Sequence, residues 1–383
     1  MIPYGRQNIT HDDIQAVIDV LNSPFLTQGP AIPAFEEALC KATGAKYASV
    51  MNSATSALHV ACLALDVGKD DVVWTSPNSF VASANCVLYC GASVEFVDID
   101  PQTYNMCADS LETKLKNASK LPKVVIPVAF AGQSANMERI KQLSEQYGFK
   151  IIEDASHAIG GHYKNKPIGC GDFADITIFS FHPVKIVTTA EGGAALTNNK
   201  SLIQKINLLR SHGITRDADS MTCTPEGGWY YQQIDLGFNY RMTDMQAALG
   251  VSQMTRLGDI IKKRHLIAQR YKTLLADLPI TLPYQDPEGV SALHLYPIVL
   301  KDATQRKNVY DAFRSHDIGV NVHYMPIHLQ PFYQNLGFKK GDFPHAEAYY
   351  AGAMSLPMFP TLKEDEQDKV VSVLQNALEN IPA

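Results

Sequence analysis

The chain lacks the features that mark membrane proteins, secreted proteins and nucleic-acid-binding proteins. None of the apolar runs in its 383 residues approaches the length of a membrane-spanning helix, and the first six residues do not form a secretory signal. The net charge is -6 and the two signs are interspersed, so no basic stripe is available for a phosphate backbone. We therefore expect neither a membrane nor a nucleic acid as a partner.

Cysteine is present, but without the spacing of a metal or redox motif. The seven cysteines are an odd set with no C-x-x-C pair: Cys40, Cys62, Cys86, Cys90, Cys107, Cys170 and Cys223. This pattern favours free thiols in a reducing compartment over a disulfide framework or a zinc site. We therefore expect a cytoplasmic protein without a bound metal.

Helical and extended patterns alternate over the first 250 residues. Apolar residues recur with helical spacing from Asn52 to Leu65. Short apolar runs separated by helix-length segments predict strands at Asp71–Thr75, Val94–Ile99, Lys123–Ala129, Phe149–Glu153, Asp175–Phe181 and Gly193–Thr197. This alternation indicates an α/β fold with a mostly parallel central sheet, whose ligands bind at the carboxyl ends of the strands.

The pattern changes near residue 250 and indicates a second, smaller domain. We expect a large α/β domain with the N-terminal segment over residues 1–250, and a small C-terminal α+β domain over residues 251–383. From residue 243 onward the sequence predicts helices at Thr243–Leu278, Thr304–Ser315 and Glu364–Leu378 and strands at Leu293–Leu300 and Gly319–Tyr324.

One lysine and one aspartate stand where a pyridoxal phosphate (PLP) site requires them. Asp154 directly follows the apolar run of residues 149–153. Lys185 lies between two apolar runs, where an unpaired ammonium is costly to bury. PLP needs a lysine for its aldehyde and a carboxylate for its pyridinium nitrogen. The order of these two residues therefore indicates a PLP site near the ends of two strands.

The phosphate of such a cofactor requires hydrogen-bond donors, and the segment 52–56 offers them at a predicted helix start. Unpaired backbone N–H groups and the helix dipole attract an anion there, and Ser53, Thr55 and Ser56 add hydroxyls. An ordinary N-cap explains these residues equally well. Beside Asp154 and Lys185 the binding interpretation is stronger, because three parts of one site then fall at the ends of separate elements.

Several sequence blocks together resemble the DegT/DnrJ/EryC1/StrS sugar aminotransferase family. They include Leu26-Thr27-Gln28-Gly29-Pro30, Glu153-Asp154-Ala155-Ser156-His157, Gly237-Phe238-Asn239-Tyr240-Arg241-Met242 and residues 52–58, 77–80, 96–100, 179–193 and 355–360. Each block is weak alone, but their order over nearly the whole chain is specific. The resemblance implies a PLP-dependent transferase of the aspartate aminotransferase fold (fold type I). It also implies a homodimer with shared active sites that acts on nucleotide-linked ketosugars.

The resemblance implies a role for each residue of the cofactor site. Lys185 would bond to the PLP aldehyde, Asp154 would keep the pyridine nitrogen protonated, and His157 would approach the phenolate oxygen. Phe80 would stack on the ring. The phosphate ligands would be Ala54, Thr55 and Ser180, with Asn239 contributed by a neighbouring subunit.

The family's sugar-binding positions imply the substrate contacts. They fall on Tyr4, Pro24, Phe25, Leu26, Thr27, Val322, His323, Tyr324 and Met325, with Ala54, Ser180 and Asn239 shared with the cofactor. The blocks most resemble those of family members that transfer the amino group of L-glutamate to C4 of a UDP-linked 4-keto-6-deoxy-N-acetylhexosamine. Amination of a different nucleotide-linked 3- or 4-ketosugar stays open.

Other interpretations of the same residues also stay open. His157 could be a core histidine, Phe80 a packing residue and Asn239 a turn residue. A PLP-dependent sugar dehydratase or other lyase would share the fold, but the family's dehydratases carry histidine at the position of Lys185. A non-catalytic sugar-binding relative would be expected to lose Lys185 or Asp154, and both are present.

Overall fold

A seven-stranded sheet covered by helices forms the centre of the protein in a computed structural model that describes residues 1–379. The helices are α1 (His11–Leu21), α2 (Ala31–Thr43), α3 (Ala54–Ala64), α4 (Ala82–Tyr89), α5 (Ala108–Asn117), α6 (Met137–Tyr147), α7 (Lys200–Leu209), α8 (Asp244–Met254), α9 (Leu257–Leu274), α10 (Arg306–Ser315), α11 (Pro331–Gln334), α12 (Pro344–Gly352) and α13 (Glu364–Glu379). The strands are β1 (Tyr47–Met51), β2 (Val72–Thr75), β3 (Ser93–Phe96), β4 (Val124–Ile126), β5 (Lys150–Asp154), β6 (His162–Tyr163), β7 (Lys166–Pro167), β8 (Ile176–Ser180), β9 (Gly193–Thr197), β10 (Ile214–Thr215), β11 (Gln232–Gln233), β12 (Ile280–Thr281), β13 (Gly289–Val290), β14 (Tyr296–Leu300) and β15 (Ala353–Leu356).

The central sheet has the strand order β1-β9-β8-β5-β4-β2-β3. Strand β9 runs antiparallel to both of its neighbours, and the other pairs are parallel. All residues of β2, β8 and β9 are buried, as expected of strands covered on both faces. This topology confirms the mostly parallel α/β sheet that the sequence predicts.

Two hydrophobic cores lie on opposite faces of this sheet, because successive side chains of a strand point to opposite sides. Trp74 and Ile151 belong to the core under α2, α5, α6 and α8. Their neighbours Val73 and Ile152 belong to the core under α3, α4 and α7. Lys185 and Asp154 therefore lie at the edge of a rigid, densely packed scaffold.

A smaller C-terminal unit packs α9, α10 and α13 against the antiparallel sheet β12-β14-β15. Ile2 of the N-terminal segment is buried in the same core and pairs with Ile318. The domain boundary at residue 250 stays a prediction, and residues 380–383 of the expected second domain lie outside the described residues. Within residues 1–379, no helix combines the length and the apolar character needed to cross a bilayer.

Two predicted elements differ from the structure, and two strands were not predicted. The helix predicted at Thr243–Leu278 is divided into α8 and α9, because Thr255 Oγ1 donates to the Ser252 carbonyl at 2.6 Å and Arg256 leaves helical geometry. The strand predicted at Gly319–Tyr324 is wrong, since among residues 1–379 a single isolated bridge, from Asn321 to Ser355, joins this segment to the sheet. The sequence also gave no indication of β1 and β15, whose short runs contain alanine and serine and have weak strand propensity.

Candidate active site

A cavity of about 650 Å³ opens at the carboxyl ends of β5 and β8. This volume lies within the range of about 300–1,000 Å³ that is typical of small-molecule sites. The structure brings many of the residues predicted from the sequence to its wall: Tyr4, Ala54, Thr55, Phe80, Asp154, His157, Ser180, Lys185, Val322, His323 and Tyr324. Residues far apart in the sequence therefore meet where the topology of a parallel sheet predicts a ligand site.

Six predicted site residues do not line this cavity, and all of them are exposed: Pro24, Phe25, Leu26, Thr27, Asn239 and Met325. Thr27 pairs with Thr243, and Asn239 pairs with Ser211, through isolated backbone bridges. Both contacts lie on the surface of the large α/β unit. Asn239 could contribute to an active site only in a second copy of the chain. The assignments of all six residues stay predictions.

Lys185 is presented by the loop that connects the antiparallel strands β8 and β9. The Lys185 backbone N–H donates to the His182 carbonyl at 2.9 Å, and the Phe181 N–H closes the loop on the Gly192 carbonyl at 2.9 Å. Within residues 1–379 the side-chain nitrogen of Lys185 forms no hydrogen bond or ion pair. Burial lowers the pKa of Lys185 from 10.5 to about 8, and the nearby Asp154 carboxylate opposes this shift. The side-chain amine of Lys185 is therefore unpaired and available to react with a ligand.

We expect the protein without cofactor to capture PLP faster as the pH rises to about 8, with a plateau above it. Only the neutral amine attacks an aldehyde, and its fraction increases as the pH passes the pKa of Lys185 from below. A lysine with an ordinary pKa of about 10.4 would show no plateau until far higher pH. Stopped-flow absorbance after mixing with PLP measures the rate, and an increase that continues past pH 10 would contradict the lowered pKa.

Asp154 is a buried carboxylate, 4% exposed, that faces the cavity and is held by three donors. Ser83 Oγ donates to Oδ2 at 2.6 Å, while the backbone N–H and the hydroxyl of Ser156 donate to Oδ1 at 3.1 and 2.6 Å. Hydrogen bonds to the charged form stabilise it. The carboxyl group of Asp154 is therefore fixed in position, with acceptor capacity left for a cationic N–H group.

Ser83 is a site residue that the sequence analysis missed. It lies near the start of α4, and because its only hydroxyl proton goes to Asp154, its oxygen accepts a hydrogen bond from Ser79 at 2.7 Å. Ser79 itself lines the cavity. The spacing of two serines four residues apart would have indicated this contact only if a helix had been predicted at residues 82–89, and none was.

The start of α3 supplies unpaired backbone N–H groups to the cavity. Ser53 is the N-cap, and its hydroxyl accepts from the Ser56 N–H at 3.1 Å. The backbone N–H groups of Ala54 and Thr55 have no partner within residues 1–379, and both residues line the cavity. The buried hydroxyl of Ser180 lies on the same wall. This arrangement is a typical anion site at a helix N-terminus.

The close approach of β9 to α3 depends on Gly193. A Cβ at this position would lie 2.3 Å from the Ala54 nitrogen and 2.5 Å from its Cα. Both atoms are backbone, so the start of α3 would have to move. We expect Gly193→Ala to lower the free energy of unfolding by about 1–3 kcal/mol through overpacking, and to weaken binding of inorganic phosphate and PLP.

Urea denaturation and fluorescence titration measure these two effects. Gly68→Ala is the matched control, because a Cβ at Gly68 would meet no atom within 4 Å. If Gly193→Ala binds PLP and phosphate like the wild type, the start of α3 is not the anion site.

Both ring nitrogens of His157 are hydrogen-bonded to protein groups. Its Nδ1 accepts the Ala131 N–H at 3.2 Å, so its proton lies on Nε2, which donates to the Tyr324 hydroxyl at 3.2 Å. Burial, with the nearby Lys185 charge, lowers the pKa of His157 well below 6.5. His157 is therefore a neutral wall of the cavity whose ring orientation is fixed.

Three functional groups of PLP each find a matching group in the cavity. The aldehyde matches the unpaired amine of Lys185, the pyridinium matches Asp154, and the phosphate matches the start of α3. Phe80 is 59% exposed and offers an apolar ring at the cavity wall. The residues present therefore fit the cofactor.

Comparison with known proteins agrees with this geometry. Residues 7–375 match the model of the DegT/DnrJ/EryC1/StrS aminotransferase family. The chain is 39% identical over 386 residues to the UDP-4-amino-4,6-dideoxy-N-acetyl-beta-L-altrosamine transaminase of Campylobacter jejuni, covering 100% of this chain and 98% of that one. It is 36% identical over 381 residues to the spore coat polysaccharide biosynthesis protein SpsC of Bacillus subtilis, covering 98% and 96%.

A solved structure also shows similarity to a sugar-pathway aminotransferase over the whole chain. PseC of Helicobacter pylori, an aminotransferase involved in the biosynthesis of pseudoaminic acid, superposes with a TM-score of 0.91 at 33% identity. The match covers 99% of this chain and 100% of that one. These findings confirm the fold type, the enzyme class and the cofactor predicted from the sequence. The chain therefore belongs to the DegT/DnrJ/EryC1/StrS aminotransferase family, whose members are PLP-dependent sugar aminotransferases.

Proposed function

We propose that this enzyme transfers the amino group of L-glutamate to C4 of a UDP-linked 4-keto-6-deoxy-N-acetylhexosamine. The specific substrate would be UDP-2-acetamido-2,6-dideoxy-β-L-arabino-hex-4-ulose, and the pathway pseudaminic acid biosynthesis. The proposal rests above all on Lys185 and Asp154, which face one cavity of about 650 Å³. The names of the relatives from Campylobacter jejuni and Helicobacter pylori support this choice of sugar.

When bound, PLP supplies an aldehyde that accepts an amino group and a ring that withdraws electrons from the reacting carbon. Asp154 would hold the proton on the pyridine nitrogen, because its buried carboxylate faces the cavity and is fixed by three hydrogen-bond donors. Attraction between the Asp154 carboxylate and a protonated pyridine nitrogen would keep the ring electron-withdrawing. Asp154 thus acts through charge without transferring a proton itself.

Lys185 has two tasks. Its Nζ would anchor the cofactor, and as a free amine it would move a proton at the substrate carbon. The pKa of about 8 suits both tasks, since a substantial fraction of the amine is neutral near physiological pH and its conjugate acid still donates readily. Ser180 and the start of α3 would hold the phosphate of the cofactor.

The substrate side of the cavity is formed by residues of the C-terminal unit and the N-terminal segment. The Tyr4 and His323 rings lie 5.4 Å apart, and His323 Nδ1 is hydrogen-bonded to Ser355 at 2.8 Å. Tyr324 contacts both Phe80 and His157. Glutamate and the ketosugar bind here in turn, so that two half-reactions share one cavity.

The enzyme acts as a cytoplasmic homodimer in this proposal. One surface of the large α/β unit exposes a cluster of apolar side chains on α1 and the segment after it: Ile14, Ile18, Leu21, Phe25 and Leu26. Contiguous exposed apolar residues of this kind are typical of a subunit interface. A second copy on this face would also give the exposed Asn239 a partner site.

Incubation with glutamate and a panel of UDP-, dTDP- and GDP-linked ketosugars tests the proposed substrate. Product mass and NMR then identify the aminated sugar and the carbon that carries nitrogen. We expect turnover of the UDP-linked 4-ketosugar. If only 3-keto substrates react, the alternative of a different nucleotide-linked ketosugar is correct.

A further inference from the structure

His294 is a buried imidazole on the cavity wall whose nitrogens have no hydrogen-bond partner. The residue is 4% exposed and lines the cavity. Its Nδ1 is fully buried and unpaired, and its Nε2, which solvent can reach, forms no hydrogen bond within residues 1–379 either. Buried polar groups are nearly always hydrogen-bonded, so an unpaired one needs a reason.

His294 differs in this respect from the two other buried histidines of the wall, His157 and His323. Both nitrogens of His157, whose ring centroid lies 4.5 Å away, are bonded to protein groups. His323 is bonded through Nδ1 to Ser355 and through Nε2 to Asn321. Among these three, His294 alone has hydrogen-bonding capacity left for a ligand.

The charge state of His294 is fixed by its surroundings. Burial lowers its pKa well below 6.5, and the neighbouring charges of Lys185 and Arg264 add to this effect. The neutral ring carries one N–H, and its Nδ1 faces the protein interior without an acceptor. The proton therefore belongs on Nε2, where it points toward the cavity as a donor.

The backbone around His294 is held in a conformation that a relaxed chain would avoid. Leu293 has φ of 50°, which is unfavourable for a bulky side chain. The Leu293 N–H is bonded to Ser291 Oγ at 3.1 Å, and the Ala292 N–H to the Gly132 carbonyl at 2.9 Å. Backbone strain of this kind persists where the surrounding structure imposes it and is frequent in binding sites.

Arg264 of α9 stabilises this arrangement. The guanidinium is buried, 1% exposed, and its Nη1 donates to the carbonyls of Leu293 and His294 at 3.0 and 3.3 Å. A third bond goes to the Met358 carbonyl at 3.1 Å. No carboxylate pairs with Arg264 within residues 1–379. A buried cation is thus used to fix the position of His294.

We propose that His294 is a substrate-binding residue that donates a hydrogen bond from Nε2 to an acceptor oxygen of the bound substrate, with Arg264 as its positioning residue. The oxygen belongs either to the carboxylate of the amino donor or to a hydroxyl or carbonyl group of the sugar. The inference rests on the proposed function, because only a transaminase presents both ligands to one cavity.

Two variants test the role of His294. His294→Leu removes both nitrogens, and His294→Gln restores an N–H donor near the position of Nε2. In His294→Leu we expect KM for the bound partner to rise about 3- to 10-fold for a neutral oxygen, or about 10- to 100-fold for a carboxylate. His294→Gln should recover most of this loss.

KM is measured for two substrates, L-glutamate and the ketosugar that the wild type converts. The substrate whose KM rises in His294→Leu is the one that carries the acceptor oxygen. Thermal unfolding of the variant without cofactor should show no loss of stability, because replacing an unpaired buried polar group by an apolar one is neutral or stabilising. A purely structural role would instead lower the melting temperature and leave both KM values unchanged.

NMR of PLP-loaded, 15N-histidine-labelled protein gives a readout independent of turnover. The Nε2–H signal of His294, assigned by its loss in His294→Leu, should shift on addition of L-glutamate or of UDP-N-acetylglucosamine as a non-reacting sugar. The inference about His294 would be overturned if the wild type is active, its His294 Nε2–H signal does not shift with either ligand, and His294→Leu has wild-type KM values for both glutamate and the ketosugar. A wild type that neither reacts with glutamate nor aminates any ketosugar would overturn the proposed function instead.

Discussion

Lys185→Ala is expected to abolish transamination. The variant loses the amine that anchors PLP and the base that moves the proton at the substrate carbon. Proton transfer by a positioned side chain contributes about 10²–10⁴-fold, and the loss of the anchor adds to this effect. Mass spectrometry of the aminated sugar, with glutamate as donor, gives the rate.

The expected cause of this loss is chemical and not a failure to fold. Desolvation lowers the pKa of the unpaired Lys185 amine, so its removal should leave the stability of the protein without cofactor unchanged or higher. Lys307→Ala is the matched control, since Lys307 is an exposed lysine of α10 whose one partner in the described part of the chain is Asp311. Activity of Lys185→Ala within tenfold of wild type would show that another amine does the chemistry.

Asp154→Asn is expected to give the second-largest loss, about 10²–10³-fold in kcat, comparable to the removal of one preorganised electrostatic group from an active site. Asparagine keeps the size of the side chain and removes the charge that keeps the pyridine nitrogen protonated. The amide also presents N–H groups to Ser83 or Ser156, which both donate to the carboxylate in the wild type. Single-turnover absorbance with glutamate measures the loss.

Glu153→Gln is the control for this substitution. Glu153 is also buried, but its side chain points to the opposite face of β5, away from the cavity, and accepts a hydrogen bond from Thr177 at 3.3 Å. Burial raises the pKa of Glu153 to about 7, so a neutral amide resembles its protonated form. We expect Glu153→Gln to keep near wild-type activity, and an equal loss in both variants would refute a specific role of the Asp154 charge.

The sequence predicted the central sheet well because its strands are buried on both faces and therefore appear as short apolar runs. It also predicted Lys185 and Asp154, because a charged residue directly beside such a run needs a chemical reason. Both depend on local pattern, and the parallel topology then brings the strand ends to one edge. The helix start at residues 52–56 also followed from its local pattern, and the resemblance to a family added Phe80 and His157.

The remaining parts of the site depend on contacts between distant segments. Ser83 and Asp154 are separated by 71 residues, and Arg264 and His294 by 30, so no local pattern relates them. His294 follows Leu293, which has a positive φ. Leucine rarely adopts this conformation, so the sequence does not predict it. The strand predicted at Gly319–Tyr324 failed for a related reason, since tertiary contacts draw Val322, His323 and Tyr324 to the cavity wall.

Borohydride reduction of the PLP-loaded protein followed by peptide mass mapping is the most direct test of the central claim. Reduction fixes the pyridoxyl group to the amine that carries it, and the account predicts a single modified peptide with the mass increment on Lys185. A pyridoxyl group on any other lysine, or none at all in an active preparation, would contradict the site described here.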